Sequence, residues 1–267
     1  MSTDLRPLST GELLDKAFSI YRSHFLLFAG IAAVANIFPL LLQVFLGLTG
    51  TTTDPVLAGG VPILALLIGL LGALVASAVA QGATVYGVSA TYLGSTISIG
   101  DSFRKVKGKI GRIILINFAV GILVGIGLVL LIAPGLIWLT MYALAIPAAV
   151  LEDLSPNDSL SRSRALSEGS RLRILAVYVL VYILQFGMAW VFGMIEQIAF
   201  RVQPNHAAGL TISYLFQIVS QFGVNTLVFP LLTVATVLVY YDQRVRKEAF
   251  DLEHMMQALG KASAAGA

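Results

Sequence analysis

Six stretches of this chain are apolar for long enough to cross a lipid bilayer, and no other feature restricts its fold so severely. They cover residues 25–48, 61–93, 112–133, 134–151, 174–200 and 210–241. A helix rises about 1.5 Å per residue, so roughly 20 apolar residues cover the ~30 Å hydrocarbon core. Inside lipid every backbone N–H and C=O must be satisfied by the chain itself, which leaves only helices or a closed barrel. Long unbroken runs, in place of ten-residue alternations, select helices. Composition agrees: 57% of the residues are hydrophobic and 12% charged, too apolar a balance for a domain wetted on all sides. The second and last runs exceed one crossing and predict tilt or extension beyond the bilayer.

Lysine and arginine set the orientation. Arg6, Lys16 and Arg22 precede the first run, and Arg104, Lys105, Lys107, Lys109 and Arg112 border the second and third. Arg162, Arg164, Arg171 and Arg173 lie between the fourth and fifth, and Arg244, Arg246, Lys247 and Lys261 follow the sixth. Of the 17 basic residues only Arg201 falls elsewhere. The positive-inside rule then predicts both termini in the cytoplasm and an even number of crossings between residues 112 and 173. That parity favours a reversal at Ala133-Pro134-Gly135 over one kinked or re-entrant segment. Proline starts a helix but cannot continue one, and glycine supplies the dihedrals of a tight turn. The basic residues border apolar runs and form no single patch, which argues against nucleic acid as a partner. Because residues 1–24 are mostly polar, the first run is expected to stay as an anchor and not to leave as a signal peptide. With no cysteine, disulfides, thiolate metal sites and thiol nucleophiles are excluded.

The polar stretch before each odd-numbered run repeats a serine followed three residues later by an acid: Ser9 and Glu12, Ser98 and Asp101, Ser155 and Asp158. This spacing is that of a capping box. Apolar residues interleaved with basic ones follow, including Leu13, Ala17 and Phe18, then Phe103 and Val106, then Leu160 and Leu166. The predicted fold is therefore all-α and integral to the membrane. Six transmembrane helices form three hairpins, each preceded by a cytoplasmic amphipathic helix whose apolar face lies on the membrane. Residues 1–24 hold the first such helix. Residues 242–267 form a C-terminal cytoplasmic helix and a tail that is unstructured beyond about residue 259.

Uncharged polar side chains recur within the runs at helical spacing: Asn36 and Gln43, Ser77, Gln81 and Thr84, Gln185, and Gln217, Gln221 and Asn225. In lipid they turn inward, either to hydrogen-bond neighbouring helices, the commoner case, or to line a polar path. Glu196 is the one acid within a run and lies near its outer end, close to Arg201, where pairing or interfacial exposure competes with a functional role. Gly121 and Gly125 form a small-xxx-small pair, open to packing within the chain or to dimerisation. Pro39, Pro147 and Pro230 are expected to kink their helices.

No catalytic constellation emerges. His24, His206 and His254 fall in three separate places, and no phosphate-binding loop, metalloprotease helix or nucleophile elbow is present. Glu152, Asp153 and Asp158 are the only acids grouped at headgroup level.

Three segments carry a resemblance. The opening Leu5-Arg6-Pro7-Leu8-Ser9-Thr10-Gly11-Glu12-Leu13-Leu14-Asp15-Lys16-Ala17-Phe18 with Tyr21-Arg22 is the first. The second is Pro147 to Leu151-Glu152 with Asp158-Ser159-Leu160 and Arg162-Ser163, and the third is Tyr240-Tyr241-Asp242-Gln243-Arg244-Val245-Arg246-Lys247-Glu248 with Phe250-Asp251-Leu252-Glu253. Together they resemble the glycerophosphoryl diester phosphodiesterase membrane-domain family of bacteria. The resemblance implies a multi-pass domain of the bacterial plasma membrane that stands with or without a soluble phosphodiesterase barrel. No barrel is present here, so it implies no activity. The reading placed first is a non-enzymatic scaffold or accessory module, without cofactor or metal. Lys105, Lys107, Lys109, Arg162, Arg164, Arg171 and Arg173 would contact lipid headgroups, and an unidentified membrane or cytoplasmic protein would be a further partner. The alternative is a permease for a small solute or lipid along the polar interior.

Overall fold

The computed structural model describes residues 7–49, 57–202 and 206–248; the side chains at 46–49, 57–66, 196, 199–202 and 206–214 lie outside the description. Its elements follow the predicted triplication. The first unit is α1 (Thr10–Ser23), α2 (Phe25–Thr49) and α3 (Leu57–Tyr92). The second is α4 (Ile99–Val106), α5 (Ile110–Leu130), α6 (Ile132–Tyr142) and α7 (Ala145–Leu151). The third is α8 (Pro156–Ser167), α9 (Arg171–Val202), α10 (His206–Leu227) and α11 (Phe229–Glu248). Six helical segments are long and apolar enough to cross a membrane, and the described residues form no strand. The chain has an all-helical membrane fold. Within each unit two long helices pack as a hairpin: α2 on α3, α5 on α6 and α9 on α10.

Exposed apolar side chains mark where lipid touches the protein. On α9, apart from Leu172 in its first turn, they run from Val179 through Phe186 and Trp190 to Ile198, nineteen steps and about 28 Å, close to the thickness of a hydrocarbon core. The same belt takes in Val34–Phe45 of α2, Leu67–Val75 of α3, Leu115–Leu130 of α5, Leu131–Ile137 and Leu215–Leu227 of α10. By contrast, α4, α7, α8 and α11 expose no large apolar side chain. They pack, with α1, into a layer at the basic end whose core includes Leu13, Phe28, Val106, Leu144, Leu166, Leu238 and Tyr240.

Each of the three short helices that precede a hairpin starts as its spacing predicts. The Ser9 hydroxyl accepts from the Glu12 N–H at 3.2 Å while the Glu12 carboxylate accepts from the Ser9 N–H at 2.7 Å. Ser98 and Ser155 accept from the N–H of Asp101 and Asp158 at 3.1 and 3.3 Å. Ser102 and Ser159, the next residue in each copy, are fully buried and donate to the carbonyls of Ser98 and Ser155. Their apolar faces turn mainly into the protein, although Phe18 stays 47% exposed. Leu13, Ala17, Val106 and Leu166 are at most 1% exposed because the faces pack on α11 and its neighbours inside the layer.

The reversal between the third and fourth runs falls at Leu131, in extended conformation, and not at Ala133-Pro134-Gly135. Pro134 sits in the first turn of α6, where a missing N–H costs nothing. Gly135 has no left-handed backbone; among the described glycines only Gly94 and Gly169 do. What Gly135 supplies is closeness. A Cβ on Gly127 would come within 2.7 Å of the Gly135 backbone, so α5 and α6 touch there main chain to main chain. Gly121 and Gly125 face open space, which rules out packing within the chain as their role. The fourth run is itself broken at Ala143–Leu144, and the sixth at Val228, with Pro147 and Pro230 in the first turns of the restarted helices. Pro39 lies within a helix that continues unbroken through it.

Candidate functional site

At the basic end, α11 carries the centre of a charged network. Asp242, 3% exposed, accepts from the Arg173 guanidinium at 2.7 Å, from Arg246 at 2.9 Å and from the Leu8 N–H at 2.8 Å. The two arginines also donate to the Leu8 carbonyl, at 2.5 and 2.6 Å, so the chain before α1 is clamped onto α9 and α11. Gln243, fully buried, accepts from Ser170 at 2.8 Å. A second group joins α7, α8 and α11. Arg162 donates to both oxygens of Glu152, at 3.0 and 2.9 Å, and to Glu248 at 2.8 Å, while the Tyr240 hydroxyl donates to Glu152 at 2.6 Å. The bond to Glu248 and then that to Glu152 raise the Arg162 pKa against the effect of partial burial.

A third group ties α7 to α5. Lys109 donates to the Val150 carbonyl at 2.8 Å, and both Lys109 and Arg112 meet Asp153, at 3.0 and 2.9 Å. Two cations thereby sit at the C-terminal, electronegative end of α7. Hydrogen bonds from Lys109 and Arg112 hold the Asp153 carboxyl below its ordinary range. Burial works against the Lys109 charge, yet Tyr86 and Asp153 outweigh it and hold the amine above its ordinary value.

Beneath this network lies a polar seam. Its upper chamber, about 200 Å³, is bounded by α3, α5, α6, α7, α9 and α11, with Gln81, Asn117, Tyr142, Tyr178, Tyr182 and Thr236 supplying polar groups. Residues at both helix breaks wall it: Tyr142 and Ala143 at one, Phe229 at the other. Interrupted spans are tolerated at such depth only where protein or a cavity satisfies their backbone. Here Ser163 of α8 accepts from the Leu144 N–H at 3.0 Å and donates to the Met141 carbonyl at 2.8 Å, with Ser167 donating to the same carbonyl at 3.2 Å. At the second break the Tyr21 hydroxyl donates to the Leu227 carbonyl at 2.6 Å.

Tyr182 also lines the lower chamber, about 420 Å³, between α9 and α10, with Gln185, Gln217, Ser220, Gln221 and Asn225. Measured along α9, the seam runs from Tyr178, about 8 Å from Arg173, to Phe192, about 28 Å from it, and so passes the middle of the lipid belt. Gln217, Gln221 and Phe186 in its wall are exposed on the outer surface of the bundle, where their neighbours Leu215, Val219 and Trp190 face lipid. The lower chamber is open sideways. The described lining of the seam holds no charged residue.

Most of the residues singled out from sequence fall on this seam or beside it. Gln81 lines the upper chamber, and Gln185, Gln217, Gln221 and Asn225 the lower. Asn36 and Gln43 meet Gln221 and Asn225 across a crevice of only about 10 Å³ on the far side of α10. Asn36 donates to the Ala32 carbonyl of its own helix at 2.8 Å. Thr84, 2% exposed, packs inside the bundle and lines no chamber. The side chains of Glu196 and His206, and residue His254, lie outside the described residues.

The residues expected at headgroups divide. Lys109, Arg162 and Arg173 are tied into the network, and Lys105 stands over the Tyr86 ring at 5.7 Å. Arg171 is half-buried, and Lys107 and Arg164 are exposed. The acids Glu152, Asp153 and Asp158 are each held in a pair or a cap. Sequence reasoning did not single out Asn117, Tyr178, Tyr182 or Thr236. Asn117 left a readable signal, as the only amide in an otherwise apolar run. The tyrosines left none, because aromatic residues are ordinary in a span. No protein-family model, curated protein or solved structure matches the chain.

Proposed function

We propose that this chain is a non-enzymatic, multi-pass protein of the bacterial plasma membrane, with both termini in the cytoplasm, that carries the polar part of a lipid-like amphiphile along its seam. The observation that carries this reading is the sideways opening. An enclosed pore suits a free solute, whereas a polar groove open to lipid accommodates a headgroup while the tails stay in the bilayer. The absence of charge from the described lining suits a path, since a fixed charge would hold a zwitterionic or polyol head at one point.

Composition and charge placement alone rank a headgroup-binding scaffold ahead of a permease. The geometry supports the opposite order, because three of the seven basic residues on which the scaffold reading rests are engaged inside the protein. The resemblance to the phosphodiesterase membrane domains is consistent with work on lipid and adds no activity to the proposal.

The test is reconstitution of the purified chain in liposomes and measurement of how fast a headgroup-labelled phospholipid equilibrates between leaflets. Equilibration should exceed that of protein-free vesicles. Gln81→Leu and Gln221→Leu should each slow it on the order of tenfold, the effect of losing one intramembrane hydrogen bond of about 1 to 2 kcal/mol in the barrier. Wild-type vesicles that equilibrate no faster than protein-free ones would remove the lipid-path reading and return the scaffold to first place.

A further inference from the structure

On the opposite side of the bundle from the seam, α2, α3 and α4 enclose an apolar groove of about 610 Å³, lined by Val34, Phe38, Ile68, Leu71, Val75 and Phe103 among others. On α3 it extends from Ile68 to Val79, eleven steps and about 16 Å, which is half of a ~30 Å hydrocarbon core and so the depth of one leaflet. Glycines fix its upper end. A Cβ on Gly30 would come within 2.5 Å of Ile99, and one on Gly82 within 2.1 Å of Val106. These two small residues let α4 sink between α2 and α3 until Phe103 closes the top of the groove.

Lys107 follows α4 in helical conformation, so Phe103, four residues before it, shares its face, and Arg104, three before it, is its surface neighbour. The Arg104 side chain is 81% exposed and meets Asp101 only at 3.5 Å, and Lys107 is exposed. Lys105 and Lys109 turn to the other side, over the Tyr86 ring. An apolar slot one leaflet deep is thus headed by two exposed cations, Lys107 and Arg104, the second of them in a long pair with Asp101. We propose that this groove is a binding site for an anionic phospholipid, one acyl chain lying against Val75 and Phe38 and the phosphate held by Arg104 and Lys107. The site is separate from the seam and does not depend on the lipid-path reading.

Native mass spectrometry of the full chain, extracted from nanodiscs of equal phosphatidylglycerol and phosphatidylcholine, tests this by counting the lipids retained. The wild type should retain phosphatidylglycerol in preference. The double variant Arg104→Gln/Lys107→Gln should lose that preference, about fivefold for each charge removed, while Arg164→Gln, an exposed cation elsewhere, leaves it unchanged. Val75→Trp, at a half-exposed position that accepts the larger ring at the surface, should lower retention of both lipids by filling the slot. The proposal is overturned by equal retention of the two lipids in the wild type, by an unchanged preference in the double variant, or by unchanged total retention in Val75→Trp.

Discussion

Asp242 shows how much a single residue can organise when its charge is buried. Its carboxylate is 1% exposed and has four donors, the Leu8 N–H and the side chains of Arg173, Gln243 and Arg246. Asp242→Asn keeps the shape and removes the charge, leaving Arg173, 15% exposed, without its counter-ion. Breaking a buried pair in this way costs about 3 to 5 kcal/mol. A corresponding drop in denaturation midpoint in detergent is expected, and a midpoint within experimental error of the wild type would show that the pair stabilises nothing. None of this is legible from hydropathy. Asp242 stands just past an apolar run and two residues before Arg244, a pattern that also describes a solvated tail. What separates the two cases is the return of residue 8 and α9 to the same place, a long-range fact that no local window contains.

Among elements, the hairpins were legible and their joints were not. Length and apolarity identify each long helix, and the serine–acid spacing identifies the start of each short one. From sequence the apolar run of α11 counts as part of the sixth span, because a helix that is hydrophobic all round is buried in lipid or in protein alike. The absence of exposed apolar side chains after Leu227 shows that protein encloses it, and the ion pairs of Asp242 and Glu248 tie its end to the basic layer. The α5–α6 joint was misplaced for a related reason, since glycine near a turn signals an unusual dihedral or a close approach with the same letter. The two glycine pairs give opposite expectations. Gly127→Ala forces α5 and α6 apart, as its Cβ meets backbone that cannot swing away, at a cost of about 1 to 3 kcal/mol. Gly121→Ala meets nothing and should leave stability unchanged or slightly raised. Thermal unfolding of the two variants side by side checks this, and equal losses would show that α5 and α6 do not touch at Gly127.

At the scale of the whole molecule, a lipid belt with a polar seam in it hangs from a helical layer held by ion pairs. The three segments that carry the family resemblance, far apart in the chain, converge in that layer through Leu8, Glu152, Arg162, Tyr240 and Asp242. They are therefore explained by assembly, while the seam is built from spans whose composition is generic. That is why the candidate site was only half readable: its glutamines stand out in an apolar run, but their meeting through Tyr182 is a property of packing. If the seam is a path, it admits water and polar groups from one side of an otherwise lipid-facing helix. The chain has no cysteine, so single cysteines report cleanly. Gln221→Cys faces the seam, and Val219→Cys, 68% exposed on the same helix, faces lipid. In proteoliposomes a membrane-impermeant thiol reagent should label Gln221→Cys and leave Val219→Cys unmodified. Equal protection of both would mean that the seam is dry and that its polar residues serve packing alone.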